Sequence, residues 1–165
     1  MKTNVYFKET QRFIREWMWI LFLLLGFDCL FGYGVIKQVI FGIPWGTKPA
    51  SDIALITLFG FGLLMTLLFV CLRLETRITE EGIYVKYFPI HLAYRRYSWT
   101  DISKLYVKSY YPLSNGGWGI SKNSYTVSGA MGLQLEFVSG KRLLIGTRKS
   151  KELTEKLNLI EKLKK

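Results

Sequence analysis

The stretch that decides the fold is residues 53–74, IALITLFGFGLLMTLLFVCLRL. Its first twenty residues, 53–72, carry no charge. At 1.5 Å rise per residue they extend roughly 30 Å, the thickness of a bilayer's hydrocarbon core. The spacing predicts a membrane-spanning helix. The chain then passes into Glu75-Thr76-Arg77-Ile78-Thr79, which alternates as a β-strand does, with no Gly/Pro/Ser-rich linker between. A folded domain is expected to start where this helix ends and to sit against a membrane surface.

Upstream lies a second apolar run, residues 18–36, with one charge, Asp28. It is too long for the core of a signal peptide, and no A-x-A-like cleavage site follows it. Trp17 and Trp19 stand at its start, where amphipathic rings favour the headgroup layer. The two runs predict a two-helix transmembrane hairpin over residues 17–74, with spans at about 18–36 and 53–73. Residues 37–52 contain Pro44, Gly46 and Pro49 and predict a loop whose VIFGIPW segment lies in the interface. Four Lys or Arg precede the first span, and Arg73, Arg77 and Lys86 follow the second, against Lys37 and Lys48 in the loop. That bias predicts a multi-pass protein of the cell membrane with both termini cytoplasmic. Residues 1–16 form a basic, aromatic flank, expected either as a short interfacial helix or as a partly ordered lead-in.

Asp28 is a candidate intramembrane polar site. A carboxylate within a span is either functional or held by a hydroxyl such as Thr57 or Thr66. No second acid, Lys or His lies in either span to form a relay. Cys29 and Cys71 each lie in an apolar run and are expected to be small buried residues rather than a disulfide.

After residue 74 the long apolar runs give way to short alternating segments. Strands are expected at 72–79, 83–88, 94–99, 104–111, 124–128, 132–138 and 142–146, with turns at Glu80-Glu81-Gly82 and Ser139-Gly140-Lys141. Residues 112–122 read as a long loop. Ser150 is a good helix N-cap, and Leu153, Leu157 and Ile160 share one face of an amphipathic helix. The expected fold class is α+β: the helical hairpin, then a small barrel of about seven antiparallel strands over residues 75–165, closed by a C-terminal α-helix.

The LETRITEEGIYVKYFP hairpin, the Trp99-x-Asp101-Ile102 turn, the Gly-Gly-Trp-Gly loop at 116–119 and GLQLEFVSGKRLLIGT at 132–147 carry a resemblance. The chain resembles small uncharacterised bacterial membrane proteins with a pleckstrin-homology-like (PH-like) domain after two transmembrane helices. The resemblance implies a fold and a location and no reaction. One departure matters. Phosphoinositide-binding pleckstrin-homology domains carry basic residues around the first hairpin turn, whereas here the turn is Glu80-Glu81-Gly82. Stereospecific inositol-phosphate recognition is not expected.

The net charge is +11, and residues 73–165 hold seventeen Lys or Arg against eight Asp or Glu. A basic domain held at a bilayer points to anionic lipid headgroups. Candidate lipid or partner contacts are Arg73, Arg77, Arg95, Arg96, Trp118, Arg142, Arg148 and Lys149. Arg95 and Arg96 are expected on opposite faces of their strand. His91 is the only histidine and is expected to be a solvent-exposed turn residue. The 116–119 glycines lack the Lys-Ser/Thr of a P-loop. No catalytic set, metal site or cofactor motif can be assembled, and nucleic acid is not expected as a partner. The expected function is a membrane-anchored, non-catalytic binding or scaffold module engaging a protein partner or the anionic membrane surface. The alternative is a subunit of a membrane transport or assembly complex, with Asp28 in a helix interface. Candidate partners besides the bilayer are another membrane protein and further copies of the chain in a homo-oligomer.

Overall fold

The computed structural model describes residues 4–111 and 118–163. The chain divides into two compact units, one made of Met1–Arg12 with Arg73–Lys165, the other of Phe13–Leu72.

The second unit is helical. A single turn, α1 (Phe13–Glu16), leads into α2 (Met18–Val35), which continues as a wider π-helical turn over Ile36–Ile40. Helix α3 runs Asp52–Cys71, and Ser51 caps it by accepting a hydrogen bond from the Ala54 N–H at 3.3 Å. The first span therefore reaches Ile40 rather than residue 36. The second ends at Cys71, because Leu72 is already extended and Arg73 opens a strand. Both helices, Met18–Ile40 and Asp52–Cys71, are long and apolar enough to cross a membrane. Only 17% and 11% of their most apolar windows are buried within the structure. Phe22, Leu23, Ile53 and Leu67 are each more than 60% exposed. Gln38 orders the connection between the helices: its Nε2 donates to Ala50 O and Asp52 Oδ1 at 2.7 Å, and its Oε1 accepts from the Trp45 N–H. Ile40, Phe41 and Ile43 stay exposed. Cys29 is exposed on α2 rather than buried, and both cysteines are free.

The first unit holds two sheets. In the four-stranded sheet, β1 (Val5–Arg12), β2 (Arg73–Thr79), β3 (Gly82–Phe88) and β4 (Arg95–Ser98) lie in that order, all antiparallel. The five-stranded sheet is ordered β5 (Ile102–Ser109), β8 (Met131–Phe137), β9 (Arg142–Gly146), β7 (Ser124–Thr126), β6 (Gly119–Ser121), with β7 and β9 parallel. A C-terminal helix, α4 (Ser150–Leu163), follows, and its Leu153 and Ile160 are buried. The sheets are not closed into a barrel, and nine strands, not seven, are present among the described residues. Between the sheets Tyr87 meets Tyr125 and Tyr97 meets Phe137, with ring centroids 6.5 and 5.5 Å apart. Trp99 opens a short 3₁₀ turn, Trp99–Asp101, from which its indole N–H donates to Thr79 O at 3.1 Å. Gly82 has φ +152°, and a Cβ there would overlap Tyr97 O, so the β2–β3 turn requires glycine.

Two strands differ from the sequence expectation. Residues 119–121, expected as loop, form β6. Residues 5–12, expected as helix or flank, form an edge strand of the domain. The helical hairpin is therefore an insertion between two neighbouring strands, and the domain includes residues on both sides of it. The reason lies in what β1 buries: Phe7, Glu9 and Gln11. Glu9 accepts hydrogen bonds from the Thr147 hydroxyl at 2.6 Å and the Arg148 N–H at 2.9 Å. Gln11 Nε2 donates to Gly146 O at 2.8 Å. The strand thus pins the connection from β9 to α4, which only the tertiary arrangement brings near. Glu9→Ala leaves the buried Thr147 hydroxyl and Arg148 N–H without an acceptor. A loss of ~1–3 kcal/mol is expected, read as a lower midpoint in chemical denaturation with faster amide exchange at residues 147–150.

Candidate functional site

Directly opposed residues of an antiparallel pair share a face. The register sets Lys8 beside Arg77, Thr10 beside Glu75 and Arg12 beside Arg73. It sets Arg77 beside Tyr84, Glu75 beside Lys86 and Arg73 beside Phe88, and then Tyr84 beside Arg96. These residues occupy the face of the four-stranded sheet turned away from the core, since their neighbours Phe7, Leu74, Ile78, Ile83 and Val85 are the buried ones. The face carries six cations, Lys8, Arg12, Arg73, Arg77, Lys86 and Arg96.

Glu75 is the hub. Arg73 Nε lies 2.7 Å and Arg77 Nη2 3.8 Å from its carboxylate, and the Tyr94 hydroxyl donates to Oε2. Burial works against its ionisation, but the Tyr94 hydrogen bond and the two guanidiniums outweigh that and hold the carboxyl below its ordinary range. Tyr94 is pushed up to about 12, first by burial and then by Glu75. Four of the six cations also lie over rings. Arg73 sits 4.8 Å from the Phe88 centroid, Arg77 4.5 Å from Tyr94, Lys86 5.4 Å from Phe88 and 5.5 Å from Tyr94, and Arg96 6.0 Å from Tyr84. Such contacts fix side chains that would otherwise be mobile. Glu81 holds the far corner, accepting from the Tyr84 hydroxyl at 2.8 Å with Arg96 Nη1 at 3.7 Å. Among the described residues, Lys8, Arg12 and Lys86 have no carboxylate within ion-pair distance. The result is an ordered basic and aromatic surface with three cations not neutralised. A depression of about 430 Å³ opens on it, lined by Val5, Arg77, Thr79, Tyr84 and Tyr94.

Of the residues expected to make lipid or partner contacts, Arg73, Arg77 and Arg96 come together here. Arg95 does not: it is opposite Val85, and its Nη1 donates to the Tyr125 hydroxyl at 2.7 Å. Arg142 belongs to a separate group on the five-stranded sheet, 3.5 Å from Glu136, which also accepts from Tyr106. The Arg148 N–H is held by Glu9, and Lys149 pairs with Glu152 at 2.9 Å in the first turn of α4. Trp118 is 45% exposed just before β6, and Gly116 and Gly117 lie outside the described residues. Lys8, Arg12 and Lys86 share this face too, without having been candidates on sequence grounds. The period-two spacing of Lys8, Thr10 and Arg12 was the available signal.

Asp28 is placed between α2 and α3 of its own chain. It is 8% exposed, and Thr66 Oγ1 donates to its Oδ2 at 2.7 Å. Its Oδ1 has no hydrogen-bond partner among the described residues and packs on Gly62. A Cβ at Gly62 would overlap that oxygen and come 2.8 Å from Phe27 Cδ1. Gly62→Ala is expected to weaken the pairing of the two helices by ~1–3 kcal/mol, seen as earlier unfolding in mixed detergent. Asp28→Asn, which keeps an acceptor for Thr66, should be milder than Asp28→Leu.

His91 is not the exposed turn residue expected. Its ring meets Tyr125 edge-on at 5.5 Å, and its Nδ1 is buried with no partner among the described residues. Burial, with Arg95 nearby, depresses its pKa below 6.5. The fold therefore favours the neutral ring. That stability is fully present above pH 6.5, the unfolded value, and is lost as the pH falls through the depressed folded value. Thermal stability should drop as the solution is acidified below pH 6.5, and His91→Phe should flatten the drop in that window.

Two long apolar helices and a mixed α+β unit with a basic sheet face define the class. The chain belongs to the family of unknown function DUF6141, whose model matches residues 1–160, a range that takes in β1, both long helices and both sheets. No curated protein matches the chain.

Proposed function

We propose that the protein is a membrane-anchored, non-catalytic binding module of PH-like type that lays the basic face of its four-stranded sheet on anionic headgroups. The observation that carries this is the position of Arg12 and Arg73. They are partners at one end of that face, and each is bonded directly to the first or last residue of the helical unit. Cations at that place stand where a bilayer's headgroup layer begins if the helices span it. Each basic residue near an anionic surface contributes about 1 kcal/mol, and among the described residues Lys8, Arg12 and Lys86 have no ion pair to break.

Three further features support the anchoring. The apolar surfaces of α2 and α3 are largely exposed. Because β1 precedes the hairpin and pairs with the strand that follows it, two crossings return the chain to the side it left. A cleavable signal would remove β1 together with the buried Glu9 and Gln11. The cation bias supports a cytoplasmic side for both termini. The two sheets and the C-terminal helix support the PH-like assignment without a closed barrel. For a transport or assembly subunit, Asp28 offers little: it faces Thr66 and Gly62 of its own chain rather than the exposed helix surface.

The full chain in nanodiscs tests this. Lys8 and Lys86 should react with an amine-modifying reagent several-fold more slowly in discs containing anionic lipid than in neutral discs. High salt, which shortens the screening length to about 3 Å at 1 M, should abolish the difference. Equal rates in the two kinds of disc overturn the lipid reading and leave the face to a protein partner.

A further inference from the structure

The end of the four-stranded sheet that carries Arg12 and Arg73 carries a third residue in line, Phe88, the last of β3. From there the chain turns through residues 89–93 before β4. Within this turn Ile90 is 62% exposed and Leu92 79%, the most exposed large apolar residue described. His91 between them is tucked in: its ring lies against Tyr125, and its backbone N–H donates to Tyr87 O at 2.7 Å. The polar residue of the turn is thus held by the core while the two apolar ones face outward. An unsupported surface loop ordinarily does the reverse. Arg12, Arg73 and Lys86 form a basic collar behind the turn, with Arg73 and Lys86 both stacked on Phe88.

We propose that the 89–93 turn is a second membrane contact, in which Ile90 and Leu92 enter the headgroup layer and the tops of the acyl chains. The collar then meets lipid phosphates. The occupant is lipid rather than another protein for two reasons. The turn shares its sheet end with Arg12 and Arg73, the two residues that flank the helical unit Phe13–Leu72 in the chain. The apolar tip with cations immediately behind it also matches the order of layers in a bilayer, acyl chain then phosphate. This rests on the reading that the helices span the membrane. It goes beyond the charge contact of the sheet face, because it predicts penetration that salt does not abolish.

The opposite end of the same sheet supplies a control. There Gly82 pairs with Ser98, the Trp99–Asp101 turn follows, and the Val138 N–H donates to Asp101 O at 2.9 Å. Val138 is 73% exposed and lies beyond the far end of the seven-residue β3, roughly 20 Å away along the strand. The full chain with Cys29→Ala and Cys71→Ala would carry Leu92→Cys or Val138→Cys. Each variant is labelled with an environment-sensitive fluorophore and reconstituted into vesicles containing anionic lipid.

At position 92 the emission should shift to the blue and be quenched several-fold more by lipid spin-labelled near the headgroup than by aqueous iodide. At position 138 the order should reverse, and high salt should leave the position-92 result in place. Equal iodide access at both positions, with the protein still resistant to carbonate extraction, overturns the wedge and leaves the anchor standing. A blue-shifted label at 92 that neither quencher reaches means burial against protein, and also overturns it. Extraction by carbonate overturns both readings.

Discussion

The structure depends on one pairing, that of β1 with β2. Seven residue pairs run from Val5 opposite Thr79 to Arg12 opposite Arg73. Between these strands the chain makes the whole helical unit, Phe13–Leu72. Within that unit the Phe13 N–H donates to Leu72 O at 3.1 Å, so the helical insertion is also closed at its own base. A strand added at a sheet edge is held by ladder hydrogen bonds and by whatever its inward side chains find. Here they find Thr147, the Arg148 N–H and Gly146 O. The sixty-residue helical unit, Phe13–Leu72, is therefore bracketed by a polar seam between an edge strand and the entry to α4.

That seam gives the candidate site its shape. Without β1 the basic face would be Arg73, Arg77, Lys86 and Arg96, with the two β2 arginines partly neutralised by Glu75. With β1 it gains Lys8 and Arg12, neither of which has a carboxylate within ion-pair distance among the described residues. The ring contacts of Phe88, Tyr84 and Tyr94 hold the remaining cations in place. An arrangement of this kind presents positive charge at low entropic cost, because the side chains are already ordered. The same sheet end carries the outward Ile90 and Leu92, so charge and apolar surface fall together where the chain enters the helices.

The two helices pack by a different logic. Between apolar surfaces that lipid would satisfy equally well, close approach and a buried polar contact decide the pairing. Gly62 lets Asp28 lie flat on α3, Thr66 supplies its hydrogen bond, and Gly34 admits the Trp45 ring. Gln38 then closes the connection with three contacts. An isolated aspartate in an apolar run suggests a functional group; here it meets Thr66 and Gly62 of its own chain.

How much of this was legible follows from what each signal depends on. The apolar runs at 18–36 and 53–72 and the strands from 73 to 146 are set by local composition and period, so the sequence by itself determined two long apolar helices, most of the strands and the amphipathic face of α4. Two patterns did not carry that information. β1 buries Glu9 and Gln11, whose partners lie more than 130 residues away, so its alternation is not one of polar against apolar. His91 reads as an exposed turn residue and the Tyr125 partner of Arg95 is not legible, because only the sheet packing brings Tyr125 to them. The sequence also supplied the basic charge but not its distribution. Whether Arg77, Arg96 and Lys8 form one surface is a matter of strand register, and register across a sixty-residue insertion is decided by long-range contacts alone.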